Sequence, residues 1–424
     1  MTPIPSGRAQ ADQALAHRDT ALPCLADLLD NDRLSGLLGE PVHITRVRYK
    51  PRTSVLVAFR RTRNGRHHYG WAMNRTPEGT TKLHHREHFS STHGGDIRLL
   101  RPDQSRPDVI IAVGSFEDDW ELAGNLLWLR DHGLQRLGAR HRPGSGSFGD
   151  VGTILRYKPE RRLVLMDAGP GGSIVIKTAA QPYDAQMQRR FWERLNQHGV
   201  PVLPLLADEE CSKHGISASP AWGGGDLAAV DGDNGAHRAG EALARLHSIP
   251  VDSGVTTAAR SGNLLAQLLA ARSMIAALVP AFEDVANLLA ADLSHRLPGH
   301  RGPRDRVLVH GDFSPDQVLI TGQEVRIIDF DRTHTSAPEA DLGSFAAVEE
   351  ITAPTQETRT TGGSKTAQLT EGYVQAGGVY SPGNLELWTA FRLFTGSVDP
   401  FRDRAPEWAA NMAWHLDRAR ELMR

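Results

Sequence analysis

The sequence predicts an α+β fold, and three observations carry that expectation. Strand patterns dominate the early and middle chain, with alternating apolar residues around tight turns. From Ala236 onward the apolar spacing is mostly helical, so sheets come first and helices afterwards. The chain has 424 residues, too many for one ordinary core, which implies two or three packed units. Hydrophobic residues at 40% and charged residues at 23% suit a soluble globular protein. A formal net charge of -2 leaves no basic footprint for nucleic acid. Only two cysteines, Cys24 and Cys211, are present, too few for a disulfide framework or a multi-thiolate metal site. That usage points to a reducing, cytoplasmic setting. The first residues, MTPIPSGRAQADQALAHRDT, lack the apolar core of a secretory leader, and no apolar run is long enough to span a membrane.

The chain echoes itself once. Ile44 to Arg61 (ITRVRYKPRTSVLVAFRR) and Val151 to Ala168 (VGTILRYKPERRLVLMDA) both read as a strand, an R-Y-K-P turn and a second strand. Short strands follow each, His68 to Asn74 and Ser173 to Ala179, which suggests a duplicated three-strand unit. The competing reading is that Y-K-P is a common turn. Between the copies, Trp120 to Gly133 has helical spacing, and a Gly/Ser-rich stretch runs from Arg142 to Gly152. A helix is expected from Asp184, its cap, to Gly199, its stop, with Met187, Phe191 and Leu195 as the apolar stripe. Leu203 to Leu227 reads as two strands and a Gly-rich connector. Ala239, Ala242, Leu243 and Leu246 share one face of the next helix. Ser261 to Leu297 is a helical pair or one broken helix, and three more helical patterns lie between Thr366 and Arg424. The expected organisation is a cap over 1–115, a linker helix over 116–140, a sheet-rich lobe over 141–222 and a helical lobe over 223–424. A ligand belongs in the cleft between the last two.

Candidate chemistry falls in one order along the chain. Moving a phosphoryl group requires a cation on the nucleotide phosphates, oxygen ligands on a metal and a carboxylate that orients the acceptor hydroxyl. Lys177 in IVIKTA sits where a strand can send an ammonium to the phosphates. Glu193, sixteen residues on, lies on the following helix and is expected to hold it. In VLVHGDFSPDQVLI, Asp312 is the candidate base and Gln317 follows five residues later. Asp329, after the strand in VRIIDFDR, is the candidate Mg²⁺ ligand beside Gln317, since Mg²⁺ favours hard oxygen donors and few protein ligands. Each piece alone has a bland reading: a surface lysine, a capped turn, a strand entering an acidic bend. The single consistent order strand-Lys, helix-Glu, loop-Asp, amide, strand-Asp is what argues for chemistry.

The segments IVIKTA, AGEALARLHS, VLVHGDFSPDQVLI, VRIIDFDR and EADLGSF, from about Val151 to Gly343, resemble the aminoglycoside phosphotransferase family, a branch of the protein-kinase-like fold that also includes choline kinases. The resemblance implies a bilobal kinase-like fold, with a small antiparallel-sheet N-lobe over 141–222 and a helical C-lobe over 223–424. It implies ATP and Mg²⁺ as cofactors and a small-molecule hydroxyl as acceptor. It assigns Asp312 as base, Asp329 as metal ligand and Lys177 with Glu193 as the lysine–glutamate pair, and it gives His310 and Asp341 the bracing of the catalytic loop. Gly311 stands where protein kinases carry Arg, so no activation-loop phosphoswitch is expected. Gln317 replaces the usual Asn, as in maltokinase-like sugar kinases, and keeps an amide oxygen for the metal.

Two segments compete to cover the nucleotide phosphates. GSGSFG (Gly144 to Gly149) has the composition of a phosphate loop, while the turn Lys158 to Arg161 has the topology, with Lys158 and Arg161 as contacts; the turn is preferred. The first copy has Met73 or Asn74 where the second has Lys177, so it is expected to be a degenerate N-lobe acting as a cap. KLHHREHF matches H-x-x-E-H at His84, Glu87 and His88, but without a third ligand these read as solvated histidines. The acceptor is expected to be a sugar, amino sugar or aminoglycoside-like compound. A Ser/Thr peptide acceptor and a non-catalytic nucleotide-binding module are the alternatives, and oligomeric state has no sequence signal. Asp331, Glu339, Glu349 and Glu350 are acidic candidates for lining a cationic acceptor's pocket, or else structural groups.

Overall fold

The computed structural model describes residues 7–92, 95–140, 152–182, 184–230, 234–251, 263–297, 306–352 and 364–424. The candidate phosphate loop at 144–149 lies outside them. The α+β expectation holds, with sheets leading and helices following.

The first sheet contains β1 (His43–Lys50), β2 (Ser54–Arg63), β3 (Arg66–Arg75), β4 (Arg98–Leu100) and β5 (Ile111–Ser115) in the order β1-β2-β3-β5-β4. The sequence pattern had offered only the first three. The run Ser54 to Phe59 is buried throughout because both faces of this sheet are covered. Val55, Val57 and Phe59 join one core with the amino-terminal helices and with helices Leu264–Leu278, Glu283–Arg296, Pro382–Gly396 and Trp408–Leu422. Leu56 and Ala58 face a second core, shared with Leu122, Leu126 and Leu129 and with the second sheet.

That second sheet is a meander of β6 (Thr153–Lys158), β7 (Arg162–Gly169), β8 (Gly172–Ala179) and β9 (Ile216–Pro220). Its first hairpin repeats the details of β1–β2. Both have a register shift in the first strand, between Ile44 and Arg46 and between Ile154 and Arg156, the second lying two residues nearer its turn. Both turns hold a non-glycine residue at φ 56, Arg52 and Glu160. A buried aspartate pins each turn. Asp19 accepts from Tyr49 Oη (2.6 Å) and Arg52 N (2.8 Å), and Asp119 accepts from Tyr157 Oη (2.8 Å) and Glu160 N (2.7 Å). Lys177 pairs with Val164 across β7–β8, and the matching position across β2–β3 is Met73, opposite Leu56.

Asp184 caps helix Ala185–Gln197 as expected, accepting from Met187 N at 2.8 Å. Phe191 and Leu195 are buried, but Met187 is exposed and leaves the stripe. The segment Leu203 to Leu227 holds the two strands and Gly-rich connector expected of it, and also a short helix that was not expected. An isolated bridge, Val202 to Ile327, precedes it, and its first half holds helix Glu209–Lys213, capped by Asp208. Only β9 and the two-residue β10 (Gly225–Asp226) are strands there. Asp208 takes the N–H of Cys211, and that cap favours a helical turn over a strand.

In the helical lobe, Gly235–His247 and Lys365–Gln375 cross with backbones in contact. A Cβ on Gly240 would fall 2.0 Å from Leu369 O, and one on Gly372 would fall 2.0 Å from His237 O. Paired glycines therefore set this crossing, which places His247 beside Tyr373. Short strands β11 (Val307–Val309), β12 (Val318–Thr321), β13 (Glu324–Ile327) and β14 (His334–Ser336) form two small sheets, β10-β12-β13 and β11-β14. No helix among the described residues is long and apolar enough to cross a membrane.

Candidate active site

β11 delivers His310, and the chain then turns at Gly311 with φ +83, in the left-handed region. A Cβ there would lie 2.3 Å from Arg332 O, so glycine is required by space as well as by backbone. Asp341, fully buried in the first turn of helix Glu339–Thr352, holds the turn from below. Its carboxylate accepts from His310 N (2.6 Å) and Gly311 N (2.8 Å). His247 Nε2 lies 3.1 Å from the same group, and His247 Nδ1 lies 2.9 Å from Tyr373 Oη. Burial alone would raise the Asp341 pKa, but the His247 contact, His310 and the Gly311 N–H outweigh it and hold it below the ordinary carboxylate range.

The one-turn helix Pro315–Gln317 feeds β12, and the β12–β13 register pairs Val318 with Ile327. Ile328 N donates to Gln317 O at 3.0 Å, so the amide of Gln317 starts beside the residue preceding Asp329. Gln317 is buried, and its Nε2 donates to Asp316 at 3.0 Å. That polarity leaves the amide oxygen as the free end among the described residues. His310 Nε2 lies 2.8 Å from Ile328 O and ties the loop to the same strand end.

Asp329 has φ 66 and ψ 51, a left-handed non-glycine residue. Phe330 anchors it, its ring 5.8 Å from Phe191, 5.7 Å from Trp192 and 4.9 Å from His310. Two cations from the sheet lobe meet the Asp329 carboxylate. Lys177 Nζ is 2.7 Å from Oδ1, and Arg162 Nη1 is 3.0 Å from Oδ2. Asp331 also contacts Lys177 directly and lies 3.7 Å from Arg162. Burial pushes the Asp329 pKa up, yet Lys177 and Arg162 more than reverse it and hold the carboxyl far below its usual range.

The expected Lys177–Glu193 pair does not form. Helix Ala185–Gln197 turns Phe191 and Leu195 inward, which leaves Glu193 on the solvent side, exposed. The Lys177 ammonium is satisfied instead by Asp329 and Asp331. Asp312 is part-exposed at the mouth of the cleft, with Arg332 Nη1 at 3.3 Å and Arg392 Nη2 at 3.6 Å from Oδ1. Lys158 lies above, half-buried. Burial and then the cations Arg162, Arg156, Arg46 and Arg332 lower its pKa to about 7. Arg161 is likewise lowered by burial and then by Arg48, Arg402, Arg46 and Arg332. His84 and Glu87 form only an exposed surface pair, 3.8 Å apart.

Sequence reasoning missed Arg162, Asp331, His247 and Arg392. Arg162 opens β7 right after the turn whose other cations were singled out. His247 stands inside the quoted AGEALARLHS. Asp331 was named only as a pocket-lining or structural candidate, and it binds Lys177. Glu339 and Glu349 prove structural, accepting from Ser381 N and Lys365 N, and Glu350 pairs with Arg418. Arg392 had no local pattern at all.

Residues 153–388 match the model of the phosphotransferase enzyme family. Among solved structures, a spectinomycin phosphotransferase in complex with ADP and spectinomycin aligns at 13% identity over 64% of this chain and 92% of its own, TM-score 0.48. A choline/ethanolamine kinase family protein from Mesorhizobium loti aligns at 17% identity over 68% and 93%, TM-score 0.45. A macrolide 2'-phosphotransferase from Brachybacterium faecium aligns at 19% identity over 72% and 97%, TM-score 0.42. No curated protein matches the chain.

Proposed function

This chain belongs to the phosphotransferase enzyme family, with its bilobal kinase-like fold and ATP-dependent transfer to a hydroxyl, and we propose how its own residues divide that work. The acceptor is a small molecule, and we take its reacting group to be a hydroxyl of a sugar-like compound. Asp312 accepts the proton of that hydroxyl as its oxygen attacks the terminal phosphorus of ATP. The new O–P bond forms, the bond to the bridging oxygen breaks, and ADP leaves.

Lys177 and Arg162 bind the nucleotide phosphates, and Lys158 and Arg161 cover them from the turn above. The observation that carries this reading is the meeting of Lys177, from the sheet lobe, with Asp329, from the helical lobe, at 2.7 Å, while buried Asp341 braces the neighbouring loop that carries Asp312. The donor types suit Mg²⁺: a carboxylate at Asp329 and an amide oxygen at Gln317, whose backbone pairs with Ile328, the residue before Asp329. When bound, Mg²⁺ neutralises charge on the transferring phosphoryl group. Glu193 has no part in this scheme.

The matching hairpin registers, turn conformations and aspartate pins support reading the segment within 1–115 as a degenerate copy of the 141–222 lobe that now serves as a cap, with 116–140 as the linker. Asp312→Asn tests the central assignment. ADP release with an accepted substrate is expected to vanish, while stabilisation by a non-hydrolysable ATP analogue persists. Undiminished turnover in that variant removes Asp312 as the base.

A further inference from the structure

The walls around Asp312 are cationic, which bears on what the acceptor is. Arg332 and Arg392 approach the same carboxylate oxygen at 3.3 and 3.6 Å, both outside tight hydrogen-bond range. Arg392 projects from helix Pro382–Gly396, and its Nε is buried with no hydrogen-bond partner among the described residues. Its other anionic neighbour, Asp399, is 3.9 Å away and already bonded to Arg402 at 3.0 Å. Asp312 and Asp399 are therefore each shared with another arginine, and the Arg392 guanidinium, whose Nη2 is the group nearest the base, retains donor capacity beside it.

A polycationic or quaternary-ammonium acceptor would have to approach Asp312 between two guanidiniums. An anionic group would find an oriented fork of donors there. We propose that the acceptor of this enzyme carries a carboxylate or phosphate close to its reacting hydroxyl, received by Arg392 and Arg332 beside Asp312. This rests on the reading of Asp312 as the base, and it narrows the acceptor class away from aminoglycosides, amino sugars and choline-like amines. Arg392 is then a specificity-determining residue, and the bound anion replaces Asp312 as partner of the two guanidiniums. The carboxylate becomes free to turn toward the hydroxyl.

The test uses the full chain saturated with Mg²⁺ and a non-hydrolysable ATP analogue, so that every nucleotide phosphate position is filled. Inorganic phosphate and choline are then titrated as the smallest anionic and cationic probes and followed calorimetrically. Wild type is expected to bind phosphate measurably and choline not at all. Arg392→Gln is expected to weaken phosphate at least tenfold while holding the analogue within about twofold of wild type. Preference for choline, or absence of phosphate binding by the loaded protein, overturns the proposal. So does a variant that loses the nucleotide analogue rather than phosphate, since Arg392 would then belong to ATP. Failure of wild type to bind the analogue at all would instead overturn the nucleotide reading.

Discussion

Lys177 Nζ and Asp329 Oδ1, 152 residues apart in the chain, stand 2.7 Å from each other across the cleft. The contact joins the two lobes through the two groups that the proposed chemistry separates, one for phosphate and one for metal. Nucleotide and Mg²⁺ each offer one partner of this pair a stronger counter-charge, so their joint binding replaces the pair without leaving either charge bare.

Asp329→Asn is therefore expected to uncouple metal from nucleotide. Lys177 keeps Asp331 as a partner, which limits the stability loss. Wild type should gain thermal stability from Mg²⁺ in the presence of ADP, and the variant should not. Turnover should fall by at least about 100-fold. A variant with an undiminished Mg²⁺-dependent shift would remove Asp329 from the metal site.

Lys158 leads to a proton-linked expectation. Burial, followed by four neighbouring arginines, lowers its pKa to about 7, so near pH 7.5 a large fraction of this side chain is neutral. A triphosphate placed against it restores the charged form. Binding of Mg²⁺-ATP analogue at pH 7.5 should thus take up protons, seen as a dependence of the calorimetric enthalpy on buffer ionisation heat. The uptake should shrink at pH 6, where Lys158 is already charged, and disappear in Lys158→Met. Equal uptake in that variant would mean that the turn does not meet the phosphates.

Much of the fold was legible because it is written locally. The R-Y-K-P turns, the Asp184 cap and the H-G-D segment each carry their own geometry in a few adjacent residues, and each forms where its pattern stands. What escaped was set by distant parts. The Glu193 assignment followed sequence spacing, but the inward face of its helix is decided by Phe191 packing on Phe330. Helix Glu209–Lys213, capped by Asp208, was hidden in a segment read as two strands and a connector. Arg392 reaches Asp312 only because the carboxy-terminal helices fold back over the cleft, which no local pattern encodes. The strands β4 and β5 are short and complete a sheet whose need for cover comes from its neighbours.

The brace under the catalytic loop separates into an inner and an outer contact. Asp341 takes two backbone N–H groups with full burial, and an asparagine there can accept only with one oxygen while turning N–H₂ toward the other donor. Asp341→Asn is expected to cost about 3 kcal/mol in chemical unfolding and to lower kcat with it. Tyr373→Phe removes only the outer bond to His247 and should cost about 1 kcal/mol, with kcat nearly unchanged. Equal effects of the two substitutions would show that the aspartate is not specifically bracing the loop.

Asp119 pins the Lys158–Arg161 turn, and its titration should be visible in folding. Burial raises its pKa from 3.8 to about 6, against the opposing N–H of Glu160, the Tyr157 hydroxyl and the Glu121 N–H. The folded state thus holds this proton more tightly than the unfolded chain between those two values. Stability from this group is fullest below about pH 4, falls as pH rises through the window to about 6, and is level above it. At 1.36 kcal/mol per unit the loss is about 3 kcal/mol. Asp119→Asn has no proton to lose, so the difference in unfolding free energy between wild type and variant should shrink across that window by about this amount, then stay constant. A difference that is flat from pH 4 to 6.5 would place the ionised carboxylate in the folded state throughout. The Tyr157 and Glu160 bonds would then be strong enough to overcome burial, and the turn would be held by a full charge at every pH where the enzyme works.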